Sequence, residues 1–407
     1  MMTRLPLEGI RVADFSWIIN GPQIAQWFAT MGAEVIKIES QVYIDICRSN
    51  PAGFADRKPG LNRNGYFHHL NYGKKAINLN LRTPKGRELA YEIVKRSDLV
   101  LECFPTATAA RLGLTYDDIR KVKPDAVMIS VSLMGKTGTE PSQWVGWGPM
   151  AACFVGMFDA QGYPGGPPRQ TGGTWPDYSV AGSVVFHALA ALRHRNRTGE
   201  GQWIDASMGE TVIGQMQEWF MDYFMNGRDR RQRGNRDDVM APHNTYVCRG
   251  DDRWIAIAVG TQEEWYALCR VMGNPEWARD EKFAGQASRR KNSDALDAHL
   301  NEWTRNHDHI ELAKMLQDAG VAAGPVLDSV ELHKDPHLWE WGYWWEMEHH
   351  EVGKRIVPGM PVKMSDVPAL NKSLPPDLGQ HNREVFGGLL GLSDAEINLL
   401  IAEKVIY

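Results

Sequence analysis

Asp177 is the residue whose type and setting most directly offer chemistry. It sits in Thr174-Trp175-Pro176-Asp177-Tyr178-Ser179, just ahead of an apolar, helix-forming run over residues 180–192. An acid there has a structural use, because Asp is a preferred residue where helices begin and its carboxylate satisfies free backbone amides. The same physics gives it a chemical use. A helix start keeps a carboxylate ionised, and free amides there can hold an oxyanion. A carboxylate so placed can act as a covalent nucleophile. Judged on these residues alone, the capping role is the commoner one.

Glu39 closes Glu34-Val35-Ile36-Lys37-Ile38-Glu39, about 18 residues after Gly21-Pro22. In a dinucleotide-binding fold an acid at that place grips a ribose. The preceding loop, Ile18-Ile19-Asn20-Gly21-Pro22-Gln23, lacks the glycine spacing that cradles pyrophosphate and puts proline where an amide would meet it. A Rossmann-type oxidoreductase stays as an alternative that this loop opposes. His307-Asp308-His309 and His349-His350 carry metal-ligating side chains. No third ligand stands at helical or hairpin spacing, and both stretches are strongly polar, so they read as solvated and no metal is expected. The basic run over 228–236 has only Phe224 as an aromatic neighbour upstream and reads as a solvated connector. Met216, Trp219, Phe220, Met221, Tyr223, Phe224 and Met225 form an apolar stripe that fits a core or dimer helix better than a substrate wall.

Strand and helix signals alternate over the first 140 residues. Strands are predicted near 9–15, 34–39, 76–81, 98–101 and 125–131. A helix fits 23–31, and another starts at Thr83-Pro84, with Thr83 as cap and Pro84 in the first turn. Repeated strand–helix–strand units with short connections predict a mainly parallel, Rossmann-like sheet covered by helices. Residues 145–176 are rich in Gly, Pro and Trp without a clean period and read as a long ordered loop. A helix from about 179 to 195, a strand over 202–205 and a helix over 208–225 complete a large α/β domain, 1–225. A smaller α+β domain is expected over 226–330, with paired strands near 245–248 and 254–259. Residues 331–407 are expected to return to the large domain.

The chain has 407 residues, 43% of them hydrophobic and 23% charged, which suits a globular protein with a sizeable core. With 45 basic and 50 acidic side chains the net charge is −5, so no positive field exists to hold nucleic acid or an anionic membrane. The longest apolar run is interrupted and too short to span a bilayer. The first residues lack the apolar stretch of a signal peptide. Cys47, Cys103, Cys153, Cys248 and Cys269 are scattered, odd in number and never spaced as CxxC. That pattern argues against disulfides or a zinc site and for a reducing cytoplasm.

Several blocks recur in a family-specific order. They are Leu7-Glu8-Gly9-Ile10-Arg11-Val12-Ala13-Asp14-Phe15, Gly21-Pro22, Met31-Gly32-Ala33-Glu34-Val35-Ile36-Lys37-Ile38-Glu39 and Gly73-Lys74-Lys75-Ala76-Ile77-Asn78-Leu79-Asn80. Later come Arg111-Leu112-Gly113, Thr198-Gly199-Glu200-Gly201-Gln202, Gly324-Pro325-Val326-Leu327, Asp335-Pro336, Leu378-Gly379-Gln380-His381 and Gly391-Leu392-Ser393-Asp394. Each block is weak, and the ordered set, from residue 7 to about 400, is specific. It resembles the family III CoA-transferases, the family of formyl-CoA transferase and carnitine CoA-transferase.

The resemblance implies that Asp177 is the catalytic aspartate and that Arg111 and Arg82 contact CoA. It places Leu79, Asn80 and Leu81, and Cys103, Phe104 and Pro105, along the CoA wall. It implies an acyl-CoA donor such as succinyl-CoA, a carboxylic acid acceptor, and no cofactor beyond the CoA esters themselves. It also implies two interlocked chains, as a homodimer or with a homologous subunit. Ser40, Ile19, Val145 and Gly148 depart from residues of formyl-CoA transferase and its relatives, and no counterpart of its glycine-rich lid loop stands near 226–260. These departures make oxalate and formate poor candidates. With 15 tryptophans, the expected acceptor is bulky, apolar or aromatic, such as benzylsuccinate. The segment over 144–175 is expected to shield the reacting groups from water.

Overall fold

The computed structural model describes residues 4–170, 172–230, 232–367 and 370–407. The chain divides into two compact units. The first takes the described residues up to Met157, then Gln170–Arg228 and Gly342–Tyr407; the second takes Phe158–Arg169 and Asp229–Trp341. The sequence places these divisions at 225/226 and 330/331, without the excursion at Phe158–Arg169.

The first unit is built on β1 (Arg11–Asp14), β2 (Glu34–Glu39), β3 (Lys75–Asn78), β4 (Leu99–Glu102), β5 (Val127–Ser132) and β6 (Trp203–Ser207). Their order is β3-β2-β1-β4-β5-β6, and every pairing is parallel. This is the doubly wound α/β arrangement that the strand–helix alternation predicts. Val12, Val35, Leu99, Leu101, Val127 and Ile129 pack on one face with side chains of helices Asn20–Thr30 and Trp175–Thr198. Ala13, Ile36, Ile38, Val100 and Met128 pack on the other with helix Pro84–Lys95 and with Val385, Phe386, Ile397 and Leu400. Successive residues alternate between faces, so strands buried on both sides read as continuous apolar runs. The order reverses between β1 and β4, where doubly wound sheets open a crevice beyond the strand ends.

Helix Pro84–Lys95 starts as expected, with the Gly86 amide donating to Thr83 Oγ1 at 3.0 Å. The helix expected from 179 begins instead at Trp175, with Thr174 at its cap position. Pro176 tolerates this because its missing N–H falls among the amides a first helical turn leaves unpaired. The stretch read as a loop over 145–176 holds helices Gly148–Phe154 and Met157–Ala160. The Gly-Pro start of the first and the shortness of both leave no visible period. The helix expected over 208–225 breaks at Met216 into Met208–Gln215 and Gln217–Asn226.

The second unit carries β7 (His243–Val247), β8 (Trp254–Ala258) and β9 (Ala322–Val326), an antiparallel sheet in that order. Its core joins Tyr246, Ile255, Ile257, Trp265, Leu268, Leu300, Leu312 and Leu316. His309, expected in solvent, is buried here with Nε2 3.2 Å from Glu331 Oε1. The basic connector is matched by acids: Arg228 pairs with Asp222 at 2.7 Å and Arg233 with Asp238 at 2.9 Å.

Back in the first unit, β10 (Trp344–His349) and β11 (Gly353–Pro358) form an antiparallel hairpin. Among the described residues, no helix is long and apolar enough to cross a membrane.

Candidate active site

A cavity of about 640 Å³ lies at the carboxyl ends of β1 to β4. Phe15, Ser16 and Trp17 follow β1; Ser40, Val42 and Tyr43 follow β2; Leu79, Asn80, Leu81 and Arg82 follow β3; Phe104, Pro105, Thr108 and Arg111 follow β4. Lys37, Glu39, Asp45, Arg87 and Val145 also line it. Seven of the eight positions that the resemblance places at CoA, Leu79, Asn80, Leu81, Arg82, Phe104, Pro105 and Arg111, therefore meet in one cavity. Cys103 does not line it. Its Sγ lies 3.3 Å from both the amide and the carbonyl of Trp17, so it props the loop from behind. Trp17 in turn packs against Tyr43 and Phe104, with ring centroids 5.4 and 5.9 Å away.

Buried charges hold the floor. Lys37 Nζ donates to Ser16 O at 2.9 Å and stands 3.7 Å from Asp45 Oδ2. Burial acts to lower its pKa, but Asp14, Asp45 and Glu39 overcome that and hold it above the ordinary lysine value. Lys74 Nζ, fully buried, meets Asp14 Oδ2 at 3.1 Å, Pro22 O at 2.9 Å and Asn71 Oδ1 at 2.9 Å. Glu39 gives both oxygens to Arg48, each at 2.8 Å. The acid that a dinucleotide fold would use on a ribose is thus already committed to a partner.

Asp177 occupies the third position of helix Trp175–Thr198 rather than a place before it. It is 5% exposed. Asn20 Nδ2 approaches its Oδ1 at 3.4 Å, and Asn20 is itself oriented by its Oδ1, which accepts the Gly21 amide at 2.6 Å. Burial pushes the Asp177 carboxyl up from 3.8 to about 6; its own backbone amide and Asn20 only partly offset this. The helix start therefore does not set its charge state as the sequence suggests, because the loss of water outweighs the amide and dipole terms. At pH 7 the carboxylate form still prevails.

Three short segments run from the cavity to Asp177. Residues 15–17 line the cavity and Asn20 reaches the carboxylate. Asp45 lines it, while Cys47, two residues on, lies within electrostatic reach of Asp177. Val145 lines it, and Gly148 abuts Asp177 Oδ2. Ile18, on the first of these segments, has φ of 68°. That left-handed conformation is strained for a β-branched residue, and the Asp45 carboxylate holds it by accepting the Ile18 amide at 3.2–3.3 Å.

Sequence reasoning missed Asn20, Gly148 as a spacer, and Arg87. Asn20 lies in a loop whose only sequence signal is the lack of phosphate-binding glycines. Gly148 registered as a departure from relatives instead of as room for a carboxylate. Arg87 lies inside a helix and carries no local signal.

CoA-transferase family III matches residues 7–382. The chain belongs to CoA-transferase family III. It is a CoA-transferase, 31% identical over 401 residues to the succinyl-CoA–D-citramalate CoA-transferase of Chloroflexus aurantiacus, covering 98% of each chain. It is 29% identical to the succinyl-CoA–L-malate CoA-transferase beta subunit of the same organism, over 99% of each chain. Among solved structures, a CAIB/BAIF family protein from Brucella suis matches with a TM-score of 0.86 and 29% identity, over 95% of this chain and 100% of that one. For this transferase the oxidoreductase alternative falls away, in agreement with the occupied Glu39 carboxylate.

Proposed function

We propose that the transferase moves CoA from succinyl-CoA to a carboxylic acid and that Asp177 is acylated on the way. The observation that carries this reading is a buried, neutral-partnered carboxylate joined by three segments to a cavity with arginines in its wall. An Asp177 oxygen attacks the thioester carbonyl, the C–S bond breaks, and CoA leaves as the thiolate with a mixed anhydride on Asp177. The thiolate attacks the aspartyl carbonyl, giving an aspartyl-CoA thioester and expelling the donor carboxylate. The acceptor carboxylate displaces the thiolate, and the thiolate then takes the acceptor acyl group, restoring Asp177. The acyl-activation energy is kept at every step, so the sequence requires neither ATP nor a metal. Holding the reacting groups together removes a bimolecular cost of roughly 7–11 kcal/mol in favourable cases, and keeping water away protects both intermediates.

The arginines of the cavity, Arg82, Arg87 and Arg111, suit the phosphates of CoA, with the aromatic wall of Trp17, Tyr43 and Phe104 beside them. The succinyl donor is supported by relatives named for succinyl-CoA. For the acceptor we favour an acid with an apolar or aromatic body, such as benzylsuccinate. Trp175 and Tyr178 flank Asp177 in sequence and are exposed, and Tyr66 and Tyr343 lie within electrostatic reach of Tyr178. A small hydroxy-dicarboxylic acid is the second reading, favoured by the acids named for the relatives. Exposed Phe186, Met221, Tyr223, Phe224 and Met225 favour assembly with a second copy or a homologous subunit, interlocked as the family resemblance implies. Five free cysteines suit a reducing cytoplasm.

The test is incubation of the purified chain with succinyl-CoA and a panel of aryl-substituted, hydroxy- and unsaturated acids, reading new CoA esters by mass. The proposal expects transfer to an aromatic succinate. Transfer only to small hydroxy-acids selects the second reading, and no transfer by the chain alone but transfer with a homologous partner makes it one subunit of a heteromer.

A further inference from the structure

The hairpin of β10 and β11 turns at His349, His350 and Glu351. The two imidazoles stack with centroids 4.4 Å apart. Asp377 faces them: its Oδ1 lies 3.6 Å from His349 Nε2 and its Oδ2 2.9 Å from His350 Nε2. One ligating atom from each of the three side chains falls within 4.8 Å of the others. His349 is 3% exposed, so the solvated role read from sequence does not hold for it; His350 is open to water.

Two features set this group apart from a surface ion pair. Asp377 Oδ1 is buried with no hydrogen-bond partner among the described residues, a costly state for a carboxylate oxygen. The two imidazole nitrogens also stand 3.6 and 2.9 Å from the two oxygens of one carboxylate, and with one ligating atom of each side chain within 4.8 Å of the others small side-chain movements bring all three onto an ion with bonds of about 2.0–2.1 Å.

We propose that His349, His350 and Asp377 form a binding site for a divalent transition-metal ion of the zinc type, with a fourth position open to water beside His350. Two imidazoles and one carboxylate suit zinc better than magnesium or calcium, which prefer all-oxygen sets. The ion supplies the missing partner of Asp377 Oδ1. Its role is structural. Pro376, next to Asp377, accepts from Arg48 Nη2 at 3.0 Å, and Arg48 holds Glu39 in the cavity wall. Leu378, on the other side, donates to Asn62 Oδ1 at 3.0 Å, which Arg48 Nη1 also reaches at 3.1 Å. The ion thus fastens the hairpin turn to the segment that braces the β2 edge of the cavity. Binding at His349 Nε2 moves the ring proton to Nδ1, so the 3.2 Å approach of the Glu351 amide to Nδ1 must open. The inference is independent of Asp177.

The test uses the full chain without a polyhistidine tag, stripped with chelator and titrated with zinc by calorimetry. One saturable equivalent per chain is expected, with a rise in Tm on zinc addition. Asp377→Asn and His350→Ala are each expected to weaken binding by more than about tenfold and to abolish the zinc-dependent Tm rise. Circular dichroism checks that both variants fold, and His350 is exposed enough for its variant to do so. No saturable uptake by the stripped wild type, or uptake unchanged in both variants, overturns the proposal.

Discussion

A β-carbon placed on Gly148 would stand 2.0 Å from Asp177 Oδ2. The carboxylate therefore occupies space that only glycine leaves open. Gly148→Ala is expected to keep the fold and to displace the carboxylate by about an ångström, lowering kcat roughly a hundredfold. Steady-state kinetics with a circular dichroism control checks this; wild-type turnover would show that Asp177 needs no fixed position.

Asn20 Nδ2 reaches the same carboxylate at 3.4 Å. Its amide lowers the Asp177 pKa against the larger effect of burial. Asn20→Ala should move the acid limb of the kcat/KM profile to higher pH than the wild-type midpoint near 6. A loss of rate with an unmoved midpoint would mean that Asn20 only packs.

The sign of the stability effect follows from the raised pKa. Below about pH 4, Asp177 is protonated in folded and unfolded chains alike and costs nothing. Between about 4 and 6 the unfolded chain releases the proton first, so this group's contribution to stability falls as pH rises. Above 6 the cost is constant, roughly 3 kcal/mol at most. Asp177→Asn removes the charge, so it should be inactive yet more stable than wild type, by a margin that grows from pH 4 to 6 and then levels. Urea unfolding across pH measures it. A margin that shrinks with rising pH would contradict the burial account.

The cavity arginines give a different signature. Arg111 is exposed, with Nη2 on Thr108 Oγ1 at 3.1 Å, so its loss is expected to leave the fold intact. Arg111→Ala is expected to raise KM for acyl-CoA roughly tenfold with little change in kcat, and added salt should narrow the difference. An unchanged KM would remove Arg111 from the donor site.

The sheet was legible because its strands are apolar on both faces and separated by turn residues, as at Leu99–Glu102 and Val127–Ser132. The Thr83-Pro84 helix start carried a local hydrogen-bonding signal. The short helices before Asp177 did not, since tertiary packing rather than propensity holds them. Asp177 was visible as a helix-start acid, but its raised pKa depends on burial by residues far away in sequence. Asn20 and Gly148 lie 157 and 29 positions from Asp177, and no spacing rule joins them to it. Asp377 as the third partner of His349 and His350 escaped for the same reason: their meeting is made by a hairpin turn and a loop without periodic pattern.

The central claim is that Asp177 becomes acylated. The direct measurement is to mix the chain with an acyl-CoA donor, quench with hydroxylamine, and map the modified peptide by mass spectrometry. The account predicts a hydroxamate on Asp177 that depends on the donor and is lost in Asp177→Asn. Wild-type transfer activity with no modification at Asp177, or with the label on another residue, would contradict it.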